Sequence, residues 1–161
     1  MRVLAIDPGT THSAWCSYAG QDKPVFFGHV ANGDLALQVT DCSGLDDVLA
    51  IEMIASYGMP VGREVFETCV WIGRFIEQLR AQISEEAFYL VYRSQVKIHL
   101  CHSPKAKDAN IRQALIDRFG GKEKAIGKKK TPGPLYGMSG DEWAALAVAV
   151  TFFDQNRSSR P

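Results

Sequence analysis

The sequence predicts an α/β fold: a five-stranded mixed sheet, three antiparallel meander strands plus two further strands, flanked by helices. Three observations carry that expectation. Apolar or alternating runs bounded by Gly, Pro, Asn or Asp mark five strands. Helical periodicity begins only after the fourth of them. The last long apolar run is apolar on most faces, as expected of a helix buried against a sheet.

Arg2–Asp7 reads as a buried strand that ends in an aspartate, and a tight Pro8-Gly9 turn follows. Residues 12–18 alternate, with Ser13, Trp15 and Ser17 on one side and Ala14, Cys16 and Tyr18 on the other. A turn at Gly20–Pro24 leads into a strand over 25–30, completing the meander. Asn32-Gly33-Asp34 opens a polar connection with at most a short helical turn, running to about residue 46. Residues 48–54 are almost continuously apolar, as in a strand covered on both faces, and Glu52 interrupts them. Val61, Val65, Cys69, Ile72, Ile76, Leu79 and Ile83 recur at helical spacing, predicting an amphipathic helix over 61–83. Residues 87–92 form the fifth strand. Arg93–Leu100 reads as a short helix and Lys105–Phe119 as another, ended by Gly120-Gly121. Residues 122–138 read as a Lys-, Gly- and Pro-rich loop, Asp141–Phe153 as the final helix, and 156–161 as a frayed tail.

The chain has 161 residues, enough for one domain with a real core, set at 1–155. Its 46% hydrophobic and 22% charged content are those of a soluble globular protein. The N-terminus lacks the pattern of a secretion signal and no apolar run reaches membrane-spanning length, so a cytoplasmic location without membrane association is expected. Cys16, Cys42, Cys69 and Cys101 form no C-x-x-C pair, which fits reduced thiols. His99, Cys101 and His102 lack the spacing of a zinc site. Formal net charge is zero, but Lys122, Lys124, Lys128, Lys129 and Lys130 crowd one stretch with only Glu123 among them. Such a patch suits phosphate, or simply a solvated loop.

Asp7, Glu52 and Asp141 each sit at the terminus of a buried element, where a charge is costly unless paired or ligated. Asp141 alone would complement a helix dipole, and Asp7 alone would suit a turn cap or a phosphate turn. Three such acids point instead to a divalent cation that relieves their repulsion. Mg²⁺, with Mn²⁺ as a substitute, suits few carboxylates plus substrate phosphate oxygens. Two such ions would support in-line phosphodiester hydrolysis.

Ile6-Asp7-Pro8-Gly9, Ala50-Ile51-Glu52 and Asp141 with Ala145-Leu146-Ala147-Val148-Ala149-Val150-Thr151 together resemble the RuvC family of Holliday junction resolvases. Arg93–Lys97 resembles that family's segment after its fifth strand, and Lys107–Ile111 lies where it places a lysine before a helix. The loop Thr131–Gly137 looks more like the phage-encoded members. The resemblance implies a ribonuclease H-like fold and a homodimeric, Mg²⁺-dependent endonuclease with two ions per site that nicks four-way DNA junctions symmetrically. Asp7, Glu52 and Asp141 carry over as metal ligands. The family's fourth acid does not, because its position is Ala144. Asp108, Glu142 or a water are the candidates to replace it, though Asp108 could equally cap its helix. Lys97 and Lys107 are candidates to neutralise the scissile phosphate, and Lys122–Lys130 to follow the DNA backbone. Ser139 and Gly140 could let the backbone approach phosphate. Tyr57 is the candidate junction wedge, and Phe66, Trp71 or Phe75 the candidate dimer anchors.

Two other classes compete. The Asp7-Pro8-Gly9-Thr10-Thr11 turn also resembles the phosphate loop of the actin and sugar-kinase superfamily, but that class needs two related domains. A junction- or branch-binding protein with weakened catalysis would explain the absent fourth acid. Forks and flaps are possible substrates beside four-way junctions.

Overall fold

Arg2–Asp7 forms strand β1, the centre of the sheet, and the rest of the computed structural model is arranged around it. The structure describes residues 1–42, 47–80 and 88–157. The remaining strands are β2 (His12–Tyr18), β3 (Phe26–Ala31), β4 (Asp47–Met53) and β5 (Phe88–Tyr92). They lie in the order β3-β2-β1-β4-β5. β1, β2 and β3 are an antiparallel meander, whereas β4 and β5 run parallel to β1. The expected five-stranded mixed sheet is the one observed.

Strand alternation sends side chains to two helical layers. Val3, Ala5, Ala14, Cys16, Tyr18, Val48, Ala50 and Val91 face the C-terminal helix α6 (Glu142–Asn156) in the larger core. Ala145, Ala147 and Ala149 are wholly buried in that helix. Their small size lets α6 lie close to β1 and β2. Leu4, Ile6, Leu49 and Ile51 point to the other face, against Leu35, Ile72 and Phe75. Those three come from α1 (Asn32–Cys42) and α2 (Arg63–Arg80).

Several elements differ from expectation. The polar connection after β3 is an eleven-residue helix, α1. Its start looked like a turn because Asn32 and Gly33 are turn formers, yet Asn32 is buried and hydrogen-bonded. After α3 (Arg93–Cys101), α4 spans Asp108–Arg118, so Lys107 is its N-cap residue and Asp108 sits inside the first turn rather than capping it. The Lys-rich stretch folds into a short helix α5 (Lys122–Ala125) and a two-stranded hairpin, β6 (Gly127–Lys128) with β7 (Thr131–Pro132). Buried Ala125, Leu135 and Met138 tie it to the larger core. Gly133 permits this, since a Cβ there would fall 2.3 Å from the Lys124 carbonyl oxygen.

Phe75 is a core residue and cannot anchor a partner, and Trp71 packs partly on the same core. Phe66 remains exposed, with Val70 one turn on. Ile83 and the tail beyond residue 157 lie outside the described residues. Among those described, no helix is long and apolar enough to cross a membrane.

Candidate functional site

The pairing of β1 with β4 brings Ile6 beside Ile51, so Asp7 and Glu52 emerge side by side one residue later. Both share the strand face that carries Val3, Ala5, Val48 and Ala50, and so point toward the start of α6. Register extends the row across the sheet: Ala14 pairs with both Asp7 and His29, and Val91 pairs with Glu52.

The turn after Asp7 is held by a buried polar network. Gly9 N donates to Ser13 Oγ at 3.1 Å, Ser13 Oγ donates to Asn32 Oδ1 at 2.6 Å, and Asn32 Nδ2 donates to the Gly9 carbonyl at 3.0 Å. Ser13 and Asn32 are both buried. Gly9 must be glycine, since a Cβ there would lie 2.2 Å from the His12 carbonyl oxygen.

Asp141 is the N-cap residue of α6, and its carbonyl accepts from Ala145 N at 3.0 Å. Its carboxylate is 70% exposed and lies 3.9 Å from His29 Nε2. Glu142 turns back instead and accepts from Ser139 N at 2.8 Å. One candidate for the fourth acid is thus bound to the backbone of the turn before α6. The other, Asp108, is bound by the guanidinium of Arg93. Arg93 also lies 3.5 Å from Glu52 Oε2 through Nη1.

Asp7, Glu52, Arg93, Asp108, Asp141 and Ala144 line one cavity of about 260 Å³. Trp143 forms part of its wall, fixed by a 3.1 Å hydrogen bond from Nε1 to the Met138 carbonyl. Asp108 therefore reaches the space beside Ala144, and Glu142 is not among the cavity's lining residues.

Burial raises the Asp7 pKa to about 8, reinforced by the charges of Glu52 and Asp141. Glu52 is also raised by burial, although Arg93 pulls it down. For Arg93, burial disfavours the charge, but Glu52 and Asp108 outweigh it and its pKa lies above the ordinary arginine value.

This donor set fits a hard divalent cation, which prefers carboxylate oxygens. The buried Glu52 Oε2 makes no hydrogen bond and so keeps a free lone pair. As placed, no group of three or more His, Cys, Asp or Glu side chains converges closely enough to hold one ion, among the described residues. Arg93 stands between Glu52 and Asp108 instead.

The remaining candidates lie around this cavity rather than in it. Lys107 is exposed at the start of α4, one residue before Asp108, and Lys97 is half-buried on α3. Lys122, Lys124, Lys128, Lys129 and Lys130 are all exposed on α5 and the hairpin. Tyr57 is exposed with φ of 49° and borders a second cavity that shares Asp7, Glu52 and Arg93 with the first. His99 bonds Asp154 at 2.8 Å, in a clamp with Arg118, which accounts for it without zinc. Sequence reasoning assigned no role to Arg93, Ser13 or Asn32. No local signal marks Arg93: its link to Glu52 appears only in the register, where Val91, two residues earlier, pairs with Glu52.

No protein-family model matches this chain, and no curated protein does. Solved structures do. A Thermus thermophilus RuvC structure superposes with a TM-score of 0.69 at 18% identity, covering 98% of this chain and 98% of that one. T. thermophilus RuvC in complex with a Holliday junction substrate superposes with a TM-score of 0.67, also at 18% identity, over 96% of this chain and 95% of that one. The chain has the RuvC fold. That is the ribonuclease H-like fold expected from the resemblance, and the match runs nearly end to end in both chains.

Proposed function

We propose that this protein is a metal-dependent, structure-selective endodeoxyribonuclease that resolves four-way DNA junctions by paired nicks. One observation carries the reading: acids from β1, β4, α4 and the start of α6 line a single cavity in a RuvC fold. The neighbour bound to a Holliday junction supports branched DNA as the substrate class.

Asp7, Glu52 and Asp141 would hold divalent ions, Mg²⁺ or Mn²⁺, with Asp108 in place of the acid absent at Ala144. When bound, two such ions activate a water and stabilise the leaving 3′ oxygen. The protein's own residues prepare that chemistry. The Gly9–Ser13–Asn32 network fixes the backbone that aims Asp7. Trp143 and Ile111 wall the cavity and limit water. Lys107 and Lys97 stand near enough in sequence to the Asp108 and Arg93 elements to meet phosphate, and the α5–hairpin lysines supply the sequence-independent attraction to the backbone. Tyr57 offers an exposed ring for stacking at the branch point. The exposed Phe66–Val70 face of α2 is the homodimer surface, and the cytoplasm, that of the bacterial host if the chain is phage-encoded, is the setting.

The test is a panel of labelled four-way junction, fork, flap and linear duplex, with Mg²⁺, Mn²⁺ or chelator. Paired nicks in the junction are expected only with metal. Asp7→Asn is expected to lower the rate roughly 100-fold or more. Asp108→Asn should cut activity far more than Glu142→Gln, and Ala144→Asp should restore it in the Asp108→Asn background. Cleavage that survives Asp7→Asn would sink the assignment. Tight junction binding with no cut under either metal would instead favour a branch-binding protein, the reading that Ala144 keeps open.

A further inference from the structure

We propose that Arg93 is a resident counter-cation of the carboxylate cavity: it yields Glu52 and Asp108 to a divalent ion and turns into the neighbouring cavity, where it meets substrate phosphate. This rests on the metal-dependent nuclease reading above and adds to it a residue with no role so far.

Position is the first argument. The Arg93 guanidinium bridges Glu52 and Asp108, the two acids on either side of it. Four acids and this one base line the cavity, so among the described residues Arg93 supplies the only lining positive charge. Its side chain is 23% exposed, against 84% for Asp108 and 14% for Glu52. The cation therefore reaches inward from the rim, and Asp108 is drawn over the cavity by it.

The quality of its contacts is the second argument. Arg93 Nη1 lies at ion-pair distance from Glu52 Oε2, yet that oxygen makes no hydrogen bond. A guanidinium normally satisfies a buried carboxylate through paired N–H donors. Here it neutralises Glu52 without saturating it, and leaves the oxygen ready for a harder cation.

The third argument is where Arg93 can go. It lines a second cavity of about 200 Å³, which runs past Pro8 and Met53 to the exposed Tyr57. Because Arg93 already lines both cavities, its guanidinium has the Tyr57 side to turn into when it leaves Asp108. An incoming divalent ion repels the guanidinium from the first cavity, while a DNA phosphate beside Tyr57 attracts it into the second.

The experiment titrates Mn²⁺ and Mg²⁺ into the 161-residue protein without DNA. In the unmodified chain, Mg²⁺ should shift one arginine Nε–Hε nuclear magnetic resonance signal, the one that is missing in Arg93→Lys. By calorimetry, Arg93→Gln should bind Mn²⁺ about tenfold more tightly, because a like charge is gone, while Arg93→Lys stays near the unmodified value. At saturating Mn²⁺ the Gln variant should nonetheless cut junctions about 100-fold more slowly. A merely structural Arg93 would make metal binding and cleavage fall together, and that result overturns the proposal, as does unchanged metal affinity. If Arg93→Gln does not fold, the resonance in the unmodified chain decides: metal saturation with no arginine response rejects the displacement. Failure of the unmodified chain to bind either ion removes the nuclease reading as well, whereas binding without an Arg93 response removes this inference alone.

Discussion

At Asp7, the cost of burying a carboxylate is visible as a retained proton. With a pKa raised to about 8, it keeps that proton in the folded chain at pH values where an unfolded chain, near pH 4, has already lost it. Folding is therefore favoured by this group below about pH 4, and the contribution is lost as pH rises through about 8. In chelator, the melting temperature should fall between pH 5 and 8.5, and Asp7→Asn should flatten that fall. Added Mg²⁺ should flatten it too, by replacing the proton. An identical pH slope in Asp7→Asn would show that the strain lies elsewhere. Asp7 and Glu52 were legible in the sequence because each interrupts an apolar strand. Arg93 was not, because nothing local distinguishes a cation opening a helix from a solvated one. Only the pairing of Glu52 with Val91 reveals whom it faces.

Among the elements, the turn between β1 and β2 depends on a residue from the start of α1. Asn32→Ala would leave Ser13 Oγ and the Gly9 carbonyl without their partner, at a cost of about 1–3 kcal/mol. Urea unfolding measures that loss. Cleavage should drop further than stability alone explains, since the turn aims Asp7. A variant that loses neither would show the network to be incidental. The strands and α2 were readable from periodicity, whereas the strand order, with β4 beside β1, appears only in the fold. α1 was missed because its opening residues are turn formers, and the network that recruits Asn32 spans residues far apart in sequence. The α5–hairpin unit was read as a loop because its lysines dominate, whereas Ala125, Leu135 and Met138 are what fix it to the core.

Across the whole molecule, zero net charge hides an uneven distribution. Lys128, Lys129 and Lys130 project from one hairpin, so their removal tests the proposed DNA-binding face without touching the acids. Replacing all three by Gln should reduce the salt dependence of junction binding by roughly three in log–log slope, if each meets one phosphate. Fluorescence anisotropy in chelator measures this, and an unchanged slope would move the DNA path elsewhere. The RuvC fold itself was legible because acids, strand ends and the Ala-rich helix occur in one order. The sequence offered Asp108, Glu142 or a water in place of the acid absent at Ala144, and only the fold shows that Asp108 lines the cavity while Glu142 does not. α6 has a final consequence. It fills one face of the sheet and also brings Asp141 to the site. On the ribosome, α6 is made after every strand of that sheet. A nascent chain thus acquires its stable fold and its complete carboxylate set in the same step. An unfinished copy has neither, so under the proposed function no half-made chain cuts DNA.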